Sequence, residues 1–174
     1  MNNKVIIITG EKGEGKTTKL LNIIDLLNKE KVSAIGFTAK AELEDGERNK
    51  YTLVDINSSN TITMCSAKPN ENYNKYGRFY FNPSAINFGN KLLSDNMNKE
   101  SIIVMDEIGP FEIDNKLWHK SLQLILNTTQ NTLLLSVRKK LINNIIDKYK
   151  LENVFIYSVN DPSNNIIKEI KLTN

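Results

Sequence analysis

Residues 10–17 read Gly-Glu-Lys-Gly-Glu-Gly-Lys-Thr. Every fixed position of the Walker A pattern is met, and each residue type has a chemical reason to be there. Gly10, Gly13 and Gly15 let the backbone curl until successive N–H groups converge on phosphate oxygens. Gly10, Glu11, Lys12, Gly13, Glu14, Gly15, Lys16, Thr17 and Thr18 are therefore expected to bind a nucleotide's phosphates. Lys16 supplies a cation at the β- and γ-phosphates, where it also serves catalysis. Thr17 brings a hydroxyl to a Mg²⁺ ion, and a helix starting at Lys16 adds the positive end of its dipole. Glu11 and Glu14 are unusual in an anion-binding loop and are expected to point to solvent.

A second signal lies downstream. The apolar run Ile102-Ile103-Val104-Met105 ends in Asp106-Glu107, the Walker B form. Asp106 is expected to hold Mg²⁺, and Glu107, facing the other way along the pleat, to orient or deprotonate the attacking water. Ligands of open α/β sheets bind beyond the carboxyl ends of the strands, so both motifs belong at one rim. Arg138 follows another apolar run and is a candidate to stabilise transition-state charge, with Ser136 reaching the γ-phosphate. A solvated arginine at a helix start is the competing account. Arg48 and Arg78 are weaker candidates for the same task. Glu112 reads as structural, Trp118 and His119 as packing and surface. Tyr73, Tyr76, Phe79 and Tyr80 read more simply as cover for a sheet edge than as a platform for a base.

The elements that must position these groups follow from periodicity. Residues 4–9 form a short β-branched run suited to a strand buried on both faces, and residues 16–28 carry apolar positions at helical spacing. Residues 34–38, 51–56 and 61–64 are strand-like, and their turn-rich connectors are too short for a crossover helix. An antiparallel insertion over 32–67 is the expectation. After a short strand at 78–81, helices (83–96, 115–127, 139–149 and 162–170) alternate with strands (101–105, 132–136 and 153–157). Pro83 suits a first helical turn and Asp161 an N-cap. That alternation implies an α/β fold, a mostly parallel sheet covered on both faces.

The 174 residues fit one domain, spanning 1–174, and the 40% hydrophobic and 25% charged content is ordinary for a globular chain. The net charge of +3 and the short basic run Arg138-Lys139-Lys140 give no nucleic-acid stripe. One cysteine, Cys65, and one histidine, His119, rule out an internal disulfide and a Cys/His metal cluster; a reducing cytoplasm is the expected compartment. Val5-Ile6-Ile7-Ile8 is followed at once by Gly10 and charged residues, which is unlike a signal peptide, and no apolar run reaches bilayer length. The oligomeric state is not legible.

The string Asp106-Glu107-Ile108-Gly109-Pro110-Phe111-Glu112 resembles the signature of the thermophilic-type, or cancer-related, nucleoside-triphosphatase family. Gly36-Phe37-Thr38, Gly46-Glu47-Arg48, Tyr76-Gly77-Arg78-Phe79 and Ser136-Val137-Arg138 resemble further family segments in the same order. Where the family usually has an arginine after its Gly-Phe-x-Thr strand, this chain has Ala39-Lys40-Ala41-Glu42. The resemblance implies a RecA-like P-loop NTPase core, a three-layer sandwich with an inserted antiparallel β segment. It also implies slow, Mg²⁺-dependent hydrolysis of ATP, GTP and other nucleoside triphosphates to the diphosphate and phosphate, with loose base selectivity.

Two alternatives share the core. A small-molecule or nucleotide kinase would need an acceptor pocket and an arginine-rich lid, and residues 32–67 hold only Arg48. A nucleotide-dependent switch would use the antiparallel segment as a partner surface.

Overall fold

The computed structural model describes residues 3–44, 46–97 and 101–172. In chain order the elements are β1 (Lys4–Gly10), α1 (Lys16–Lys29), β2 (Ala34–Glu44), β3 (Glu47–Asp55), β4 (Thr61–Ser66), β5 (Asn74–Tyr76), β6 (Phe79–Phe81), α2 (Pro83–Ser94), β7 (Ile102–Ile108), α3 (Pro110–Ile113), α4 (His119–Thr128), β8 (Leu133–Arg138), α5 (Ile142–Tyr149), β9 (Asn153–Ser158) and α6 (Ser163–Lys171). A 3₁₀ turn, Lys139–Leu141, leads into α5. One sheet runs through the molecule in the order β5-β6-β4-β3-β2-β7-β8-β1-β9.

Two halves of this sheet have different physics. From β2 to β9 every pair is parallel, and β1, β7 and β8 are buried along nearly their whole length, as strands under helices on both faces must be. Alternate residues of β1 feed opposite layers. Ile6 and Ile8 pack with Leu20, Ile23 and Leu27 of α1 and Ile166 and Ile170 of α6. Val5 and Ile7 join the larger core with Leu93 of α2, Leu122 and Ile125 of α4 and Ile145 of α5. The result is the expected three-layer α/β sandwich.

The antiparallel half, β3, β4, β6 and β5, continues the same sheet rather than standing apart from it. It reaches Phe81, beyond the expected limit at residue 67, because 74–76 and 79–81 pair as a second small hairpin. β2 is the joint: its first four residues pair with β7, and Phe37 onward pairs with β3. It can cross so close to β7 because Gly36 has no side chain. A Cβ there would lie 2.0 Å from the Val104 carbonyl oxygen, and its φ of +121° is a glycine conformation.

Several expected boundaries shift for local reasons. The helix predicted over 115–127 starts at His119, after α3, since Asn115 and Leu117 take left-handed φ of 61° and 47°. Asp161 does not cap α6: its carboxylate accepts from the Ser158 N–H at 2.6 Å and closes the preceding turn instead. Pro83 does occupy the first turn of α2, where the Asn82 side chain accepts from the Ser84 N–H at 3.0 Å.

Candidate functional site

β1 ends at Gly10 and the chain turns through Gly13 (φ +91°) and Gly15 (φ +94°) into α1. That helix has no side-chain cap and no acidic residue in its own first turn, so its positive end faces the loop. Lys16 is buried, and its ammonium donates to the carbonyls of Gly10 (3.2 Å) and Glu11 (3.0 Å), which holds it across the loop. Glu11 and Glu14 are both exposed, yet the Glu14 carboxylate folds back to accept the Glu11 N–H at 2.7 Å. It therefore ties the loop's own backbone, where simple projection into solvent was expected.

The acidic strand end meets this loop directly. β8 lies between β1 and β7, so the tip of β7 is held against the strand next to the loop. Asp106 is 1% exposed and its carboxylate is fully engaged. Oδ2 accepts from the Thr17 hydroxyl (2.7 Å) and the Ala39 N–H (3.0 Å); Oδ1 accepts from the Glu107 N–H (2.9 Å) and the Ser136 hydroxyl. Ser136 in turn accepts from the Glu107 N–H at 2.8 Å. Its single proton goes to Asp106, so the expectation that it donates to a γ-phosphate is corrected: Ser136 fixes both acidic residues.

Glu107 sits in a break of the β7–β8 register, between Met105 and Ile108, with φ +58°. A bulge with a left-handed residue re-aims the side chain beyond what strand alternation alone would give. Burial, and next the neighbouring Asp106 charge, push the Glu107 carboxyl above its ordinary value, opposed by Lys16, Arg138 and Arg48. Arg138 lies 3.8 Å from Glu107 Oε2. Glu112 is buried; its carboxylate accepts from the Gly109 (2.8 Å) and Trp118 (3.4 Å) N–H groups, and burial pushes its pKa up to about 7. It shapes the loop after Glu107, in keeping with a structural reading.

Glu107 also divides two cavities. On one side is an open cleft of about 1000 Å³, mouth included, lined by Lys16, Thr17, Thr18, Lys40, Arg48 and Glu107. On the other is a small, mainly apolar chamber in which Glu107 and Arg138 face Tyr51, Cys65, Phe81 and Trp118. No local pattern of residues announces this chamber, because its wall joins the antiparallel half of the sheet to the loop after β7. The Ala39 N–H, now an Asp106 partner, was equally hidden, since main-chain donors leave no trace in residue type. Of the ring residues, Tyr76 packs on Phe81 and Phe111, and Phe79 on Tyr51, so they do cover the sheet. Trp118 is buried against Phe37, and His119 meets the Tyr149 hydroxyl at 2.9 Å. Arg78 is exposed and bound elsewhere, to Glu47, Asn49 and the Arg48 carbonyl.

A glycine loop opening onto a helix, an aspartate hydrogen-bonded to the loop threonine, and a further strand between the two strands that carry them define a P-loop nucleoside-triphosphate-binding protein. A family model described as NTPase matches residues 5–171, and the chain belongs to that family. It is 25% identical over 164 residues to a protein named nucleoside-triphosphatase THEP1 from Archaeoglobus fulgidus, covering 94% of each chain. It is 31% identical over 123 residues to one of the same name from Saccharolobus solfataricus, covering 70% of this chain and 69% of the other. The solution structure of a human cancer-related nucleoside triphosphatase superposes with a TM-score of 0.74 at 17% identity, over 98% of this chain and 99% of that one. The protein is thus an enzyme of the nucleoside-triphosphatase class. No helix among the described residues is long and apolar enough to cross a membrane.

Proposed function

We propose that this chain hydrolyses the Mg²⁺ complexes of ATP, GTP and other nucleoside triphosphates to the diphosphate and phosphate, in a reducing cytoplasm. The observation that carries the reading is the 2.7 Å contact between the Thr17 hydroxyl and the Asp106 carboxylate, which ties the phosphate loop to the acidic strand end. The Thr17 oxygen keeps a lone pair for Mg²⁺ after donating its proton, and Asp106, whose oxygens are already engaged, would hold the ion through water; Mg²⁺ takes few protein ligands and completes its shell with phosphates and water. Mg²⁺ held by Thr17 and Asp106 would supply positive charge that offsets the charge of the phosphates.

The chain's own groups do the rest. Loop amides and the start of α1 face the phosphates, and Lys16 places its ammonium at the β- and γ-oxygens. Glu107, half-buried at the edge of the same cleft, accepts the proton of the attacking water. Its raised affinity for protons makes it a better base than an ordinary glutamate at neutral pH. Loose base selectivity rests on the likeness to the family. The test is phosphate release from ATP and GTP with Mg²⁺ or with chelator. Release from both, lost on chelation and in Glu107→Gln, is expected; equal rates for wild type and Glu107→Gln would sink the reading.

A second reading, phosphoryl transfer to a small hydroxyl compound, is favoured by the apolar chamber on the far side of Glu107. There the carboxylate would take the acceptor's hydroxyl proton instead of water's. Label from γ-labelled ATP appearing in an organic phosphate, at the expense of inorganic phosphate, would establish it.

A further inference from the structure

The chain has three arginines, and the fold brings them into a connected set. Arg138 ends β8 beside Glu107, at 3.8 Å from its carboxylate. Arg48 comes from the opposite direction, from the start of β3 in the antiparallel half. Its guanidinium covers the phosphate loop at Gly13: a Cβ built on that glycine would lie 3.1 Å from one guanidinium nitrogen and 3.3 Å from the central carbon. Gly13 leaves room for the planar group against the loop backbone. The same arginine lines the cleft with Lys16, Thr17 and Glu107.

The arm that carries Arg48 is built to aim it. The β2–β3 register slips between Glu42 and Leu43: Leu43 faces Arg48 and Glu42 faces Lys50, which leaves Asn49 unpaired. A bulge of this kind turns the flanking side chains and is common beside active sites. Arg78 then braces the bulge. It donates to the Arg48 carbonyl (3.1 Å), the Asn49 side chain (3.1 Å) and the Glu47 carboxylate (3.4 Å).

We propose that Arg48 is a catalytic residue supplied in cis by the β2–β3 hairpin, its guanidinium neutralising charge on the transferring phosphoryl group, with Arg78 as its positioning residue. In the step, a water oxygen forms a bond to the γ-phosphorus and the bond from that phosphorus to the β–γ bridging oxygen breaks. The electron pair stays on the leaving diphosphate, and the water's proton passes to Glu107. Negative charge grows on the bridging and equatorial oxygens, which lie against the loop that Arg48 covers. Arg48 exchanges no proton; its five donors and fixed charge suit it to that task. Arg138 lies on the other side of Glu107, 3.8 Å from its carboxylate, and lines the second cavity rather than the cleft.

The proposal rests on the hydrolase reading, and one experiment separates the two. Phosphate release and Mg²⁺-dependent triphosphate binding are measured for wild type, Arg48→Ala, Arg48→Lys and Arg78→Ala, with thermal unfolding to confirm the fold. Arg48→Ala is expected to lose about 10²-fold or more in kcat, with binding changed by less than about 5-fold. Arg48→Lys recovers little, since a point charge lacks the fork. Added guanidinium ion restores part of the rate to Arg48→Ala and none to Lys16→Ala. Arg78→Ala falls in between and is not rescued by guanidinium. Trapping of the diphosphate with aluminium fluoride, a transition-state mimic, is expected in wild type and lost in Arg48→Ala. Wild type that releases no phosphate would end the hydrolase reading and this proposal with it. An active wild type with an unchanged kcat in folded Arg48→Ala, or a loss confined to KM, overturns the proposal alone.

Discussion

The left-handed backbone of Glu107 makes a claim about stability as well as chemistry. A non-glycine residue at φ +58° costs roughly 1–2 kcal/mol relative to glycine in the same conformation. The Asp106 charge beside it and its partial burial add a further penalty for an ionised carboxylate. Against these stand the Arg138 pair at 3.8 Å, partly exposed and so worth about 0–1 kcal/mol, and the extra freedom glycine has when unfolded, about 0.5–1 kcal/mol. The sum leaves Glu107→Gly more stable than wild type by roughly 1 kcal/mol, or a rise in Tm of about 2–4 °C for a chain of this size. Glu107→Gln keeps the strain and loses the charge, so its Tm should lie between the two. Both variants should lose phosphate release by about 10²-fold or more, since the proposed base is gone. Urea or thermal unfolding in the absence of nucleotide, paired with phosphate release, reads both quantities on one sample. A Glu107→Gly protein that is destabilised by 1 kcal/mol or more would refute the idea that the fold holds this residue in a strained pose for its chemistry. So would near-normal turnover.

Two further outcomes concern the scaffold. Burial raises the Glu112 pKa from an ordinary 4.5 to about 7, so the folded state holds this proton more tightly than the unfolded chain. The stability it contributes is complete below about pH 4.5 and is lost as pH rises through 7, with a ceiling of about 3 kcal/mol. Glu112→Gln keeps a carbonyl acceptor for the Gly109 N–H and should flatten the fall in Tm between pH 5 and pH 8; an unchanged pH profile would contradict this. Gly36→Ala drives a methyl group into the Val104 backbone at a φ alanine avoids, and should cost roughly 3–5 kcal/mol, seen as a Tm lowered by about 10 °C. A Tm within about 2 °C of wild type would show that β2 does not need to pass β7 this closely.

What the sequence revealed was mostly what is local. The strand, glycine loop and helix over residues 4–28 are coded by adjacent residues, and so is the apolar run that ends in Asp106 and Glu107. β2 was read as ending at Thr38 because its outer half, Ala39 to Glu44, alternates with polar residues and is held by β3 rather than by burial. The start of α4 was misplaced because nothing in Asn115 or Leu117 announces a left-handed backbone that tertiary packing imposes. The candidate site followed the same rule. Lys16, Thr17, Asp106 and Glu107 were legible by type and spacing, and the structure brings them together. Ser136 was noticed for the right neighbourhood and the wrong partner, since a hydroxyl's one proton can be assigned only when its acceptors are in place. Arg48 and Arg78 looked alike as isolated arginines. Only the pairing of β2 with β3, and of β5 with β6, sets one on the phosphate loop and the other behind it.

If Lys16, Thr17 and Asp106 form one receptor for a metal-bound triphosphate tail, as proposed above, each should leave its mark on nucleotide binding. Calorimetric titration with a non-hydrolysable ATP analogue tests it most directly, in wild type, Lys16→Ala and Asp106→Asn, each with Mg²⁺ and with chelator. Wild type should bind with Mg²⁺ and weaken on chelation, Lys16→Ala should bind weakly in either condition, and Asp106→Asn should bind with little response to Mg²⁺. Wild-type binding that ignores both the metal and the Lys16 substitution, or no binding at millimolar analogue, would contradict it.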